Sequence, residues 1–354
     1  MKGLRTGYTT GACAAAAAKA AASLLVDGNR AASVSISLPG GETTSFPITS
    51  MEAGEKWASA VVKKFAGDDP DVTDGVVVVV TVQRAGGTGV VFEAGEGVGR
   101  VTKAGLAVPP GEPAINPGPR RMIEAALREV TSEGLRVRIS IPGGGELAKR
   151  TFNPRLGVIG GLSILGTTGK VHPYSSSALK SALACALDVA VAASVAAPVL
   201  VPGHIGEQAA RRHFVLEQDQ VIQVSNEWGY MLDQARERMF SALLVLGHPG
   251  KLAKLAAGQW DTHSSRSESA VPWVADRARK VLGVDLSGDA TVEAQLAALA
   301  KDQRGRLAGE IATKVRSAVE ERTRKRFTVA VALINLKGDI LGESGDVGPW
   351  RRRN

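Results

Sequence analysis

Residues 198–257 read PVLVPGHIGEQAARRHFVLEQDQVIQVSNEWGYMLDQARERMFSALLVLGHPGKLAKLAA. Short apolar runs alternate here with longer amphipathic ones. The spacing predicts strands over 198–201, 220–224 and 242–247, and helices over 206–217, 227–239 and 250–257. Strands that alternate with helices build a parallel sheet with helices on both faces. Ligands of such a sheet collect at the carboxyl ends of its strands.

Upstream, LGVIGG (156–161) predicts a short buried strand ending in glycines, and Ser175 to about Ala196 predicts a helix. Downstream, 268–326 is helical and rich in charge. The stretch RFTVAVALINLKGDILGES (326–344) predicts a hairpin around Lys337-Gly338-Asp339, a candidate to return to the sheet of the first region. That first region has another pattern. Thr9-Thr10-Gly11 caps an alanine-rich helix over 12–25, and strands are expected at 33–38 and 43–48. GVVVVVTVQR (75–84) holds five consecutive valines and predicts a strand buried on both faces. A Gly- and Pro-rich loop covers 94–119, Arg120 to Thr131 predicts a helix opened by Pro119, and LRVRISIP (135–142) alternates as a half-buried strand does. The expectation is an α/β protein of two domains: an α+β domain over 1–155 and a Rossmann-like parallel-sheet domain over 156–325 with a helical extension.

The formal net charge of +8 suits a polyanionic partner or simple solubility. Aromatics at 4% are too sparse for the stacking platforms of a nucleic-acid binder, and no nucleic-acid motif is present. The run Arg351-Arg352-Arg353 reads as a solvated tail. Two distant cysteines, Cys13 and Cys185, make no disulfide framework and suit a reducing compartment. The five histidines (His172, His204, His213, His248, His263) show no metal-ligand spacing, so no protein-bound metal is expected. The alanine run near the start is broken by Gly11 and Lys19, unlike a signal peptide; the apolar run 179–201, broken by Lys180, Asp188 and Pro198, predicts a helix and a strand rather than a membrane span. A cytoplasmic protein without a membrane partner is expected; a homo-oligomer stays open.

Five segments could carry chemistry. Gly160, Gly161, Ser163, Gly166, Thr167, Thr168 and Gly169 lie between a strand and a helix, offering amides and hydroxyls to a ligand, or forming a structural turn. The spacing is neither G-x-G-x-x-G nor a P-loop. His248, Lys251 and Lys254 lead into Asp261-Thr262-His263-Ser264-Ser265-Arg266, where acid–base groups and cations gather. Asn116, Arg120 and Arg121 sit on a proline-fixed turn that aims guanidiniums from a first helical turn, or merely exposes them. Thr9 and Thr10 stand at a helix N-terminus that could hold an anion or be a plain cap, and Cys13 there is either an activated thiol or a small packed residue. Glu227, at the end of a strand, could bind ribose hydroxyls, act as a base, or complement a helix dipole.

The runs LRTGYTTGACAAAAAKAA (4–21), PPGEPAINPGPRRMI (109–123), KRTFNPRLGVIGGLSILGTTG (149–169), GHPGKLAKLAAG (247–258) and DTHS (261–264) together resemble the CbiD family, cobalt-precorrin-5B C1-methyltransferases of the anaerobic cobalamin pathway. They occur in the family's order and cover nearly the whole chain. The resemblance implies a ribosomal-S5-domain-2-like α+β domain paired with a Rossmann-like domain. It implies methyl transfer from S-adenosylmethionine to C1 of a cobalt-containing, carboxylate-rimmed corrinoid. It makes Gly160, Gly161, Gly166, Thr167, Thr168 and Glu227 candidate cofactor contacts. Thr9, Thr10, Asn116, Arg120, Arg121, Arg155, His248, Lys251 and Arg266 become candidate substrate contacts. If a base acts, His263 is the first candidate and Glu227 the second. The chain departs from the family pattern at Lys170-Val171-His172, at Pro249 and at Asp261, which leaves roles for His172 and Asp261 unassigned. Two other classes remain: a phosphoryl-transfer enzyme, which lacks its Walker lysine here, and a non-catalytic tetrapyrrole carrier, which would bind corrinoid without S-adenosylmethionine.

Overall fold

The computed structural model describes residues 4–351, Ser176 by its backbone alone. It is a mixed α/β structure with parallel and antiparallel sheets, in two compact units, Met1–Ala178 and Leu179–Asn354. In chain order the first unit contains β1 (Gly7–Tyr8), α1 (Thr10–Asp27), β2 (Ser33–Ser37), β3 (Thr43–Pro47), β4 (Ser50–Ala53), β5 (Trp57–Lys63), β6 (Val77–Ala85), β7 (Val90–Ala94) and β8 (Arg100–Val101). It continues through α2 (Pro117–Arg128), β9 (Gly134–Ser140), α3 (Gly144–Ala148), β10 (Val158–Ile159) and β11 (Lys170–Val171).

The main sheet of this unit has the order β4-β5-β6-β9-β7, antiparallel except for the β7–β9 pair. Register puts apolar residues in rows. Ala60 faces Val80, Val80 faces Ile139, and Ala58 faces Val82, which faces Val137. These side chains share one core with the alanines of α1 and with Ile123 and Leu127 of α2. A helix apolar all round survives in water only when buried, and residues 12–18 of α1 are fully buried. The five valines were expected to be buried on both faces. Instead β6 alternates: Val78, Val80 and Val82 are buried, whereas Val77 is exposed. Valine is there for its fit to a pleated strand, not for burial on both sides.

The second unit begins within α4 (Ser176–Ala192), followed by β12 (Val199–Val201), α5 (His204–His213), β13 (Val221–Gln223), α6 (Trp228–Arg236), β14 (Ala242–Gly247) and α7 (Pro249–Ala256). Then come α8 (Val271–Leu282), α9 (Val292–Ala297), α10 (Lys301–Arg322), β15 (Thr328–Ile334) and β16 (Ile340–Ser344). The sheet order is β13-β12-β14-β15-β16, parallel through β15 with β16 antiparallel at the edge. Ala242, Leu244 and Leu246 face Ala209, Ala210 and Phe214, while Leu243 and Val245 are equally buried on the other side. The apolar run 179–201 is α4 followed by β12, and among the described residues no helix is long and apolar enough to cross a membrane.

Two expectations need correction. The strands of 326–344 do not return to the first sheet. β15 pairs in parallel with β14, and β16 closes the hairpin. All of β15 beyond Thr328 is buried, which suits an inner strand covered on both faces and not the half-exposed first sheet. Residues 156–178, assigned above to the second region, belong to the first unit, where Leu162 and Ile164 lie in the α1 core. Of the terminal arginine run, Arg351 pairs with Glu343 at 2.6 Å; Arg352 and Arg353 lie outside the described residues.

Candidate functional site

In the first unit three of the quoted runs meet. Thr9 caps α1, its Oγ1 accepting from the Ala12 amide at 3.2 Å. Thr10 Oγ1 accepts from the Leu165 amide at 2.9 Å, and the Gly11 amide donates to the Leu165 carbonyl at 2.9 Å. The Asn116 amide donates to Ile164 O at 3.1 Å, just before α2. The starts of α1 and α2 are thus tied to the 160–169 segment. The contact is tight: a Cβ on Gly11 would lie 2.8 Å from Pro119 Cγ, and one on Gly166 (φ 128°) would lie 2.2 Å from Thr9 Oγ1. Among the described residues no acceptor takes the amides of Gly166, Thr167 and Thr168, and both threonines are exposed. Two long helices and free amides therefore point partial positive charge at one place.

The other candidates of this unit are spread out. Gly160 and Gly161 sit farther back along the segment, where a Cβ on Gly161 would meet the Gly97 backbone at 2.3 Å. Asn153, buried, holds that bend by donating to Gly161 O at 3.0 Å and accepting from Ser163 Oγ at 3.2 Å. Arg120 is committed inside the unit: Nε donates to Ile115 O, Nη2 pairs with Glu112 at 2.9 Å, and the guanidinium lies over Phe92. Arg121 borders a shallow depression with Thr88, Glu124 and Arg128. Arg155 is exposed. Cys13 is packed rather than activated: burial pushes its thiol up to about 12, with Lys64 opposing. The free thiolate that a first-turn cysteine could offer is therefore not formed near neutral pH.

In the second unit a mixed-charge cluster forms at the carboxyl ends of the parallel strands. Chain order runs from β12 outward to β13 and then back past β12 to β14, so the strand order reverses between β12 and β14. That is where ligands bind in open α/β sheets. After β13, Ser225 takes φ 55° and Asn226-Glu227 lead into α6. Glu227 is 5% exposed and lies 3.5 Å from Lys180 Nζ and 3.7 Å from Arg266 Nη2. Its side chain caps no helix amide, although its carboxylate stands at the N-terminus of α6. Asn226 Oδ1 accepts from Lys251 Nζ at 2.6 Å and from Thr262 Oγ1 at 3.2 Å, joining the loop after β13 to the first turn of α7 and to the loop after α7. Burial, and after it the charge of Lys254, lowers the pKa of Lys251. Lys254, 7% exposed, has only neutral partners among the described residues: Ser267 Oγ at 2.8 Å and Thr262 O at 3.4 Å. Asp261 accepts from the His263 amide at 3.0 Å and pairs with Arg266 at 3.1 Å.

Both candidate histidines are held by backbone. His263 Nδ1 accepts from the Ser265 amide at 3.2 Å, and His248 Nδ1 from the Gly250 amide at 3.0 Å. A nitrogen that accepts carries no proton, so in the neutral ring the N–H sits on Nε2. His263 then presents a donor, not a lone pair, on its free nitrogen. His248 Nε2 is spent on Glu293 at 2.7 Å. The structure thus gathers Glu227, Lys251, His263 and Arg266 around Asn226, and leaves His248 as a cap. Sequence reasoning gave no role to Lys180, or to Asn226 and Lys254 within their candidate segments. Lys180 was visible as the cation interrupting an apolar run, and Lys254 as the residue one turn beyond Lys251. Among the described residues no group of three His, Cys, Asp or Glu is placed to hold a metal ion.

The chain matches the CbiD family over residues 1–173 and the CbiD C-terminal domain over residues 261–345. A protein of Syntrophotalea carbinolica named cobalt-precorrin-5B C(1)-methyltransferase is 54% identical over 351 residues, covering 99% of this chain and 100% of its own length. One of the same name from Moorella thermoacetica is 42% identical, covering 96% and 94%. The crystal structure of a cobalamin biosynthesis protein (cbiD) from Archaeoglobus fulgidus is 30% identical, covers 74% of this chain and 83% of its own, and superposes with a TM-score of 0.39.

Proposed function

The chain belongs to the CbiD family, and on that premise we propose that it methylates C1 of cobalt-precorrin-5B, giving cobalt-precorrin-6A in cobalamin biosynthesis, with S-adenosylmethionine as donor. The observation that carries this is the near-end-to-end identity of 54% with a relative bearing that activity in its name. Cobalt enters with the substrate. In fold terms we read the first unit as ribosomal-S5-domain-2-like and the second as Rossmann-like, the two being the functional domains of a cytoplasmic enzyme.

The residues present fit such a donor. Glu227 is a buried carboxylate without a hydrogen-bond donor of its own, and the amides of 166–168 are free among the described residues. Within the first unit Gly160, Gly161, Gly166, Thr167 and Thr168 are proposed donor contacts, and within the second unit Glu227 is one. A donor held by these residues would supply a methyl already activated on a sulfonium. What the protein must add is alignment and exclusion of water. Arg121, Arg155, Lys251 and Arg266 are proposed to take rim carboxylates. Thr9, Thr10, Asn116, Arg120 and His248, whose polar atoms serve the fold, position the segments around them. His263 donates through Nε2 to a substrate oxygen and is not required as a base; Glu227 serves binding rather than proton transfer.

The test is single-turnover methyl transfer from labelled S-adenosylmethionine to cobalt-precorrin-5B. A product one methyl heavier, formed in step with S-adenosylhomocysteine and much more slowly by the Thr167→Ala, Thr168→Ala double variant, is expected. Tight corrinoid binding with neither product would overturn the proposal in favour of a carrier.

A further inference from the structure

We infer that the nucleoside part of the donor is held within the second unit, its two ribose hydroxyls donating to Glu227 at the carboxyl edge of β12, β13 and β14. This rests on the donor reading above and deepens it by placing one part of the donor on named residues.

Glu227 is the single carboxylate among the fully buried residues described, and no hydrogen bond reaches it from any of them. Its neighbours are two cations held at 3.5 and 3.7 Å, beyond hydrogen-bond distance. Neither Glu227 oxygen is sealed off without a partner, so both stay open to donors from a ligand in the crevice. Lys180 and Arg266 are matched by Glu227 and Asp261, so a charged group set against Glu227 would leave the cluster unbalanced. A neutral pair of adjacent donors fits both oxygens, and a ribose diol is such a pair.

The surroundings agree. β12 and β13 pair in register, Val201 with Gln223, and the Val224 amide donates to Val201 O at 2.8 Å. The turn Pro202-Gly203 leading into α5 and the segment Ser225-Asn226-Glu227 therefore leave the sheet side by side. A Cβ on Gly206 would stand 3.0 Å from Val201 Cβ, so glycine lets α5 press onto the end of β12. A glycine-containing turn after one strand and an acid after the next is the arrangement by which doubly wound sheets hold nucleosides. Here it coincides with the reversal of strand order between β12 and β14.

The experiment is calorimetric titration of the full chain with S-adenosylhomocysteine and with its 3′-deoxyribose analogue, on the wild type, Glu227→Gln and Glu227→Asp, with thermal unfolding to confirm that each variant is folded. Glu227→Gln should weaken S-adenosylhomocysteine binding by about 10- to 100-fold, the loss expected for hydrogen bonds to a charged group. Glu227→Asp, which withdraws the charge by one methylene, should fall between. The wild type should prefer the full ribose by about 10-fold, and Glu227→Gln should lose that preference. Unchanged binding in Glu227→Gln, or an equal ribose preference in both proteins, would overturn the placement while leaving the methyltransferase reading intact. Absence of binding in the wild type together with absence of methyl transfer would sink both.

Discussion

Three buried charges set the residue-scale expectations. Among the described residues Lys254 has only neutral partners, and these lie on the loop that carries His263 and Arg266. Lys254→Met keeps the volume and removes a desolvated charge. Thermal unfolding should therefore shift by no more than about 1–2 kcal/mol, while KM for the corrinoid rises several-fold as the loop loses its tether. Lys64, 2% exposed, is neutralised by Asp71 at 2.7 Å. Burial pushes the Asp71 carboxyl up, but the Lys64 charge and its hydrogen bonds to Lys64 and Thr73 outweigh it and leave the pKa lowered. A carboxyl whose pKa is lower in the folded state stabilises the fold in full above its unfolded pKa, about 3.9, and loses that contribution as pH falls through the folded value. Asp71→Asn should cost about 3 kcal/mol near neutrality by stranding Lys64. In urea titrations across pH, its deficit should shrink as the medium is made more acidic than about pH 4. At this scale the sequence showed that Glu227 follows a strand. It could not show that the side chain is buried, caps nothing and lacks donors, because those depend on which loops meet it. For His263 the residue was legible and the tautomer was not, since a backbone amide two residues on decides it.

At the scale of elements, α1 shows how far composition reaches. Its alanines predicted a helix, and the same smallness lets it lie close against α2 and the sheet. What composition leaves out is the partner at the helix start. A methyl on Gly11 would meet both Pro119 and the Leu165 carbonyl within 3 Å. Gly11→Ala should cost about 1–3 kcal/mol through overpacking and reduce methyl transfer by displacing the 166–168 amides. Gly28→Ala, at the open left-handed cap of the same helix (φ 68°), should cost only about 1 kcal/mol by strain and leave transfer unchanged. Denaturant midpoints and initial rates separate the two. The alternation of strands and helices over 198–257 was legible because period and length agree, and β14 falls on the expected 242–247. The strands β4, β5 and β7 were missed because Ser, Glu, Lys and Ala dilute their alternation. The place of β15 was missed because a fully apolar strand states that it is central, not in which sheet.

For the molecule as a whole, the net charge of +8 gains a purpose if the substrate is a polycarboxylate. Surface attraction is screened over about 8–10 Å at ordinary ionic strength. Raising salt from about 50 to 500 mM should therefore raise KM for cobalt-precorrin-5B several-fold and change KM for S-adenosylmethionine much less, as steady-state kinetics can read. The second sheet also carries a consequence for synthesis. β14 ends at Gly247, and the strand that lies beside it begins only at Thr328, after α7 to α10. On the ribosome, β14 emerges well before its neighbour and waits with one apolar edge unpaired while those helices are translated. The first unit is complete by then, since all its strands precede Ala178. Chains stalled between those points carry a finished first unit and an open, aggregation-prone edge, which makes this stretch of translation the one where a holding chaperone matters most.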